Sequence, residues 1–72
     1  MSTTVDARGL SCPQPVLMTL DEIRKTDRGE IQILVNTDTS RENVTRAAKG
    51  QGWQVKDIQN EGEGYIIVIN KD

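Results

Sequence analysis

The 72-residue chain contains no histidine, no phenylalanine and a single cysteine, Cys12. Without histidine, Ser-His and Cys-His catalysis and every histidine-based metal site are excluded. One cysteine can form neither an internal disulfide, nor a CxxC redox pair, nor a thiolate cage around a metal. If the chain does covalent chemistry, Cys12 is therefore nearly the only candidate nucleophile, and no metal or other cofactor is expected.

Long hydrophobic runs and basic clusters are also missing. The longest apolar run, residues 65–69, is far too short to cross a membrane, and residues 1–9 lack the basic and then apolar pattern of a signal peptide. A cytoplasmic protein is therefore expected. The net charge is −2, lysines and arginines are scattered, and Trp53 and Tyr65 are the only aromatic residues. Nucleic-acid binding, which draws on phosphate neutralisation and base stacking, is not expected.

Apolar periodicity predicts six elements in the order βαβαββ, within one domain over residues 1–72. Alternating apolar residues mark the strands, and apolar residues spaced three to four apart mark the helices. Ser40 is the predicted N-cap of the second helix. The predicted strands cover 3–8, about 31–35, 53–59 and 65–70, and the predicted helices cover 13–27 (with the apolar stripe Val16, Leu17, Leu20 and Ile23) and 40 to about 50.

These elements predict an α/β fold of the α+β two-layer sandwich type: a four-stranded mixed sheet with both helices on one face. A strand-helix-strand unit favours a right-handed crossover, so the first two strands should be parallel. The short glycine-containing link at residues 61–64 makes the last two strands an antiparallel hairpin. The last strand is apolar on both sides. Either it is central and well packed, or a partner or second copy covers part of the open face.

The segment "RGLSCPQPVLM", residues 8–18, holds the only cysteine and both prolines. A residue before proline leaves the α region, as an N-cap must, and proline is favoured at the first helical position. Cys12 is therefore the predicted N-cap, with Pro13, Gln14 and Pro15 opening the helix. The positive end of the helix dipole favours thiolate over thiol. Because both prolines lack an N–H group, the predicted thiolate has few hydrogen bonds and stays nucleophilic.

The preceding "DARG" adds three candidate supporting residues, Asp6, Arg8 and Gly9. Arg8 can add positive potential near the sulfur, Asp6 can hold the loop by accepting backbone amides, and Gly9 permits a sharp turn. A plainer interpretation fits the same residues: Cys12 as a small buried hydrophobe, with Asp6 and Arg8 as solvated charges at a strand end. The residue pattern alone leaves both interpretations open.

The stretch "DARGLSCPQPVLMT", a D-x-R-G-x-x sequence followed by a C-P-x-P box, resembles the signature of the TusA-like (SirA-like) sulfur-carrier family. The similarity extends through "NTDTSRENV", the "GW" turn and the terminal hairpin. The stretch "SRENVTRAAKGQGW" is similar to the N-terminal domain of YedF-type selenium-metabolism proteins. Two features depart from that pattern: Asp38 precedes Thr39 where the family commonly has Asp-Pro, and YedF-type proteins carry a second, DsrE-like domain. The chain is thus either a standalone carrier or one domain of a longer protein.

The resemblance implies the same βαβαββ sandwich and a function as a sulfur carrier. Cys12 would accept sulfur as a persulfide from a cysteine desulfurase-like donor and relay it to an acceptor protein, for which a DsrE-like protein is a candidate. The chain lacks its own acid or base, so the partners must supply proton transfer, and "carrier" describes it better than "enzyme". The alternatives are a non-catalytic regulatory interaction module and the same carrier chemistry applied to selenium. A redox sensor is disfavoured because no resolving cysteine exists.

Overall fold

A computed structural model describes residues 2–10, 14–26 and 28–71 and has the predicted element order. The strands pair in the order β1-β2-β4-β3; β1 and β2 are parallel, and the other pairs are antiparallel. Neither helix within the described residues is long and apolar enough to cross a membrane. The elements are β1 (Ser2–Asp6), α1 (Gln14–Thr26), β2 (Gly29–Val35), α2 (Asp38–Gly50), β3 (Gln54–Glu61) and β4 (Gly64–Lys71).

The hydrophobic core lies between one face of the sheet and the two helices. Alternate residues of the central strands β2 and β4 face each other across the pair and are buried, because side chains two apart share a face. Both helices pack on this face, which confirms the predicted two-layer sandwich. The core comprises Val5, Ala7, Ile23, Ile31, Ile33, Val35, Val44, Ala48, Trp53, Ile67 and Ile69.

The opposite face of the sheet carries a half-buried apolar centre, formed by Leu34, Ile66 and Val68. β4 lies between β2 and β3 and is therefore a central strand of the sheet. A central position was one of the two explanations that the sequence offered for apolar residues on both faces of this strand. A salt bridge spans β4 on the sheet: Lys56 Nζ on β3 lies 2.9 Å from Glu30 Oε1 on β2. Polar side chains thus frame the apolar centre of this face.

The buried side of α1 differs from the predicted apolar stripe. Pro15, Thr19 and Ile23, spaced four residues apart, are buried, whereas Leu17 is 51% exposed. Thr19 can enter the core because its hydroxyl donates to the Pro15 carbonyl oxygen at 2.8 Å, which leaves no unpaired polar group there. The stripe prediction was therefore right for Ile23 and wrong for Leu17.

Helix α2 begins earlier than predicted. Its first residue is Asp38 and its N-cap is Thr37, whose Oγ1 accepts the Ser40 backbone N–H at 3.0 Å. Ser40 is buried in the first turn, so its prediction as the N-cap was wrong. Threonine and serine both favour N-cap positions. The prediction from the sequence chose Ser40, whereas the helix begins directly after Thr37. The helix ends at Gly50, as predicted.

Candidate functional site

The ends of several strands and the starts of both helices lie at one edge of the sheet. β1 and β2 are parallel and both end there, with Asp6 opposite Leu34; we call this the carboxyl edge. β4 is antiparallel to β2, so Tyr65 pairs with Val35 at the same edge, next to the β3–β4 turn. Since α1 and α2 follow β1 and β2, both helices begin near it. Polar connections after parallel strands are a common place for functional groups in sheets flanked by helices.

Asp6 and Arg8 form a closed pair at the end of β1. Asp6 Oδ1 accepts the Arg8 backbone N–H at 3.2 Å and the Arg8 Nε–H at 3.0 Å, and Asp6 Oδ2 accepts from Arg8 Nη2 at 2.9 Å. The side-chain bonds from Arg8, and then its backbone N–H, lower the pKa of Asp6 to about 2. Because the two charges are paired, Arg8 adds little net positive potential to the neighbouring chain.

The next residues form a turn in which every backbone N–H from Ala7 to Leu10 has an acceptor. The Ala7 N–H donates to Leu34 O at 2.9 Å, and the Leu10 N–H donates to Ala7 O at 3.4 Å. The Gly9 N–H donates to Asn36 Oδ1 at 3.1 Å. Gly9 has a φ of 79°, a left-handed conformation that favours glycine. The turn that leads to Cys12 is thus tied to β2 as well as to itself.

The C-P-x-P box follows this turn. Cys12 and Pro13 lie outside the described residues, so the N-cap position of Cys12 and the helical position of Pro13 stay predictions. Gln14 is the first residue of α1 and is exposed, and Pro15, directly after it, is buried. A proline in the first turn costs the helix no hydrogen bond, because the first four N–H groups have no partner within the helix.

A second group at the carboxyl edge joins β4 to the first turn of α2. The Tyr65 hydroxyl donates to Asp38 Oδ1, and the Arg41 guanidinium carbon lies 5.0 Å from the centre of the Tyr65 ring. The bond to Asp38, with burial as a smaller cause, raises the pKa of Tyr65 above its usual value. None of these three residues, nor Asn36, was predicted from the sequence to belong to the site. The signal available for Asn36 and Asp38 was their place just after a buried strand parallel to β1.

No group of three or more acidic or cysteine side chains gathers closely enough to hold a metal ion within residues 2–10, 14–26 and 28–71. The side chains gathered at the carboxyl edge instead hold loops and helix starts in place. Cys12 stays the candidate nucleophile predicted from the sequence, and it lies outside the described residues.

Comparison with known proteins places this arrangement in a family. Residues 3–71 match the family model described as sulfurtransferase TusA. A putative sulfur carrier protein of Aquifex aeolicus is 35% identical over 94% of this chain and 35% of its own length. Sulfur carrier protein TusA of Pseudomonas entomophila is 32% identical over 94% of this chain and 86% of its own length. The crystal structure of a SirA-like protein from Desulfitobacterium hafniense superposes with a TM-score of 0.86 at 28% identity, covering 94% of this chain and 95% of that one.

The fold and the family match define a sulfur-carrier class of domain. The chain belongs to the TusA sulfurtransferase family. The predicted family is confirmed, and the sulfur-carrier function that the resemblance implies agrees with the names of these relatives. The chain spans 25% and 35% of the length of two curated relatives, one from Methanocaldococcus jannaschii and the other from Aquifex aeolicus.

The Asp6–Arg8 pair should make the turn sensitive to acid only at very low pH. Because the folded pKa of Asp6, about 2, lies below the ordinary 3.8, the pair stabilises the turn above pH 3.8 and is lost as the pH falls through about 2. An NMR titration of the Asp6 carboxyl carbon should show this low midpoint, and Arg8→Gln should return it toward 3.8. A midpoint near 3.8 in the unsubstituted chain would contradict the pairing.

Proposed function

We propose that this chain carries sulfur as a persulfide on Cys12 and passes it to an acceptor protein. The observation that carries the proposal is the position of the C-P-x-P box in the chain. The box links a turn whose backbone N–H groups are all bonded, residues 7–10, to the start of α1 at Gln14. A single thiol between two anchored segments suits a group that must be presented to another protein.

Charge around the box supports a reactive thiolate at Cys12. Cys12 precedes Gln14, the first described residue of the 13-residue helix α1, by two positions. The N-terminal end of a helix carries partial positive charge, which favours an anion within the first turn. The first turn of α1 contains no acidic side chain, and the carboxylate of Asp6 is paired with Arg8. We therefore expect the pKa of the Cys12 thiol to lie below its ordinary value.

The proposed transfer is an exchange of sulfur between two thiols. The Cys12 thiolate attacks the outer sulfur of a donor persulfide, R–S–SH, and forms a new S–S bond. The donor S–S bond breaks, and its electron pair leaves with the donor as the thiolate R–S⁻. The products are Cys12–S–SH and R–S⁻, so the proton stays on the transferred sulfur and no external oxidant or reductant is needed. The same step in reverse, with an acceptor thiolate as the attacking group, unloads Cys12.

The proposed partners are a persulfide donor of the cysteine desulfurase type and an acceptor protein, with a DsrE-like protein as a candidate. Asp6 is held as a low-pKa carboxylate by Arg8, so it is a poor proton donor or base near neutral pH. Proton transfer and substrate pockets then belong to the partners. A chain that supplies the thiol while its partners supply proton transfer and substrate pockets is a carrier rather than an enzyme that acts alone.

Intact-mass measurement tests the proposal directly. The chain is incubated with a cysteine desulfurase and cysteine, and a sample with heat-inactivated desulfurase serves as the control. We expect a mass gain of about 32 Da, one sulfur atom, that disappears when a thiol reductant is added. If the active desulfurase produces no mass gain, or if the gain resists reduction, the persulfide-carrier proposal is wrong.

A further inference from the structure

We infer that Asn36 is a positioning residue for Cys12, holding the turn from which the thiol is presented. The inference rests on the proposed sulfur transfer at Cys12. Asn36 lies 27 positions from Gly9 in the chain, yet its Oδ1 accepts the Gly9 backbone N–H at 3.1 Å. A backbone N–H can only donate, so the amide oxygen of Asn36 must face it.

Among the four backbone N–H bonds of the 7–10 turn, the Gly9–Asn36 bond alone has the side chain of a distant residue as its acceptor. Arg8 and Leu10 donate to Asp6 and Ala7, which precede them by two and three residues, so these bonds shape the turn without placing it on the sheet. The Ala7 N–H extends the pairing between β1 and β2. Within the described residues, the Gly9 N–H makes the last hydrogen bond before Cys12 that joins the turn to a distant part of the chain. The Asn36 side chain therefore holds the Gly9 end of the turn against the end of β2.

Asn36 is itself held on a rigid support. It directly follows Val35, which is fully buried and pairs with Tyr65 of β4. The backbone of Gly64 lies so close that an added Cβ would come within 2.5 Å of Val35 O and 3.2 Å of Asn36 Cα. On the other side, the N-cap Thr37 starts α2. The acceptor oxygen is thus attached to backbone that is fixed on both sides.

Removal of the Asn36 side chain should change the position of the 7–10 turn more than the folding stability of the domain. The Gly9–Asn36 bond is exposed, so water can replace it at little cost in folding free energy. Without the bond, the turn would keep its local hydrogen bonds and the Ala7–Leu34 bond to β2, but its Gly9 end would lose its hydrogen bond to the residue that follows β2. Sulfur transfer requires the attacking sulfur to approach in line with the S–S bond that breaks. A small displacement of the attacking thiolate from this line lowers the rate of transfer. Removing the acceptor should therefore slow sulfur uptake while the fold remains intact.

The test compares Asn36→Ala with Asn60→Ala, an exposed asparagine of β3 outside the 7–10 turn. We expect sulfur uptake from a cysteine desulfurase to be about three- to tenfold slower in Asn36→Ala, and the Gly9 amide to exchange its hydrogen faster by a similar factor. The melting temperature should change by less than about 4 °C. Asn60→Ala should behave as the unsubstituted chain. Asn36→Asp keeps an acceptor oxygen, so protection of the Gly9 amide should return.

A second measurement needs no donor protein. The pH dependence of Cys12 alkylation by iodoacetamide gives the thiol pKa. We expect this pKa to rise toward its ordinary value in Asn36→Ala, because the proposed lowering of the pKa at the positive end of α1 depends on the position of the turn. If Asn36→Ala matches Asn60→Ala in both uptake and alkylation, the positioning role is wrong. If the unsubstituted chain takes up no sulfur, the proposed function fails, and alkylation alone then decides the role of Asn36.

Discussion

A Cys12→Ser variant should take up no sulfur and keep its fold. Cys12 is the only thiol in the chain, so no second site can accept sulfur. Serine is a good N-cap residue, which makes the substitution conservative for the start of α1. Its hydroxyl neither ionises near neutral pH nor forms an S–S bond. Intact-mass measurement after incubation with an active desulfurase should show no gain, while circular dichroism should remain that of the unsubstituted chain.

Gly50→Ala is the matched control for this variant. Gly50 ends α2, away from the carboxyl edge, and an added Cβ there would have no atom within 4 Å. This control should load sulfur normally. A mass gain that survives in Cys12→Ser would overturn the assignment of Cys12. A Cys12→Ala variant with unchanged partner binding and unchanged cellular phenotype would instead favour the regulatory interaction module.

Replacing Ile33 by alanine should remove a large part of the stability of the domain. Ile33 is fully buried in β2, with Val5 of β1 and Ile67 of β4 as its cross-strand neighbours. Truncation of a buried isoleucine costs about 2–5 kcal/mol, because it loses buried apolar surface and leaves a cavity. A domain of this length has a total stability of about 4–11 kcal/mol. Urea unfolding followed by the fluorescence of Trp53, the only tryptophan and a buried one, measures the loss.

The adjacent Leu34 provides the control for Ile33. Leu34 lies on the same strand but on the opposite face of the sheet, where it is only half-buried. Leu34→Ala should therefore cost at most about half as much as Ile33→Ala, since less apolar surface returns to water. Equal losses for the two variants would contradict a core confined to the helix-covered face.

The fold was largely predictable because its signals are local. Alternation in β2 and the short glycine-containing link between β3 and β4 are readable over a few residues, and each specifies one element or one connection. The boundaries were less predictable: Thr37 and Ser40 are both suitable N-caps, and only packing decides that Ser40 is buried in the first turn. Leu17 was misplaced for a similar reason, since a helix can bury a threonine that bonds its own backbone.

The candidate site was also predictable from the sequence only in part. Three of the predicted supporting residues, Asp6, Arg8 and Gly9, lie a few positions before Cys12 in the chain, so the sequence itself shows that they are close to it. The sequence does not show their contacts. It suggested Arg8 as a source of positive potential, whereas in the structure the charge of Arg8 is paired with Asp6. Asn36 could not be assigned from its neighbours in sequence, because it meets Gly9 only through the parallel pairing of β1 and β2.

The sequence by itself determined the order of the elements, the single candidate nucleophile and the family signature around it. These follow from residue types and short spacings, which act through local backbone preferences and side-chain chemistry. Only the tertiary structure decided that β4 lies between β2 and β3 and that Asn36, Asp38 and Tyr65 gather at the carboxyl edge. Contacts between residues 27 positions apart arise when buried strands pair and bring distant chain segments together, and no local pattern encodes which partners will meet.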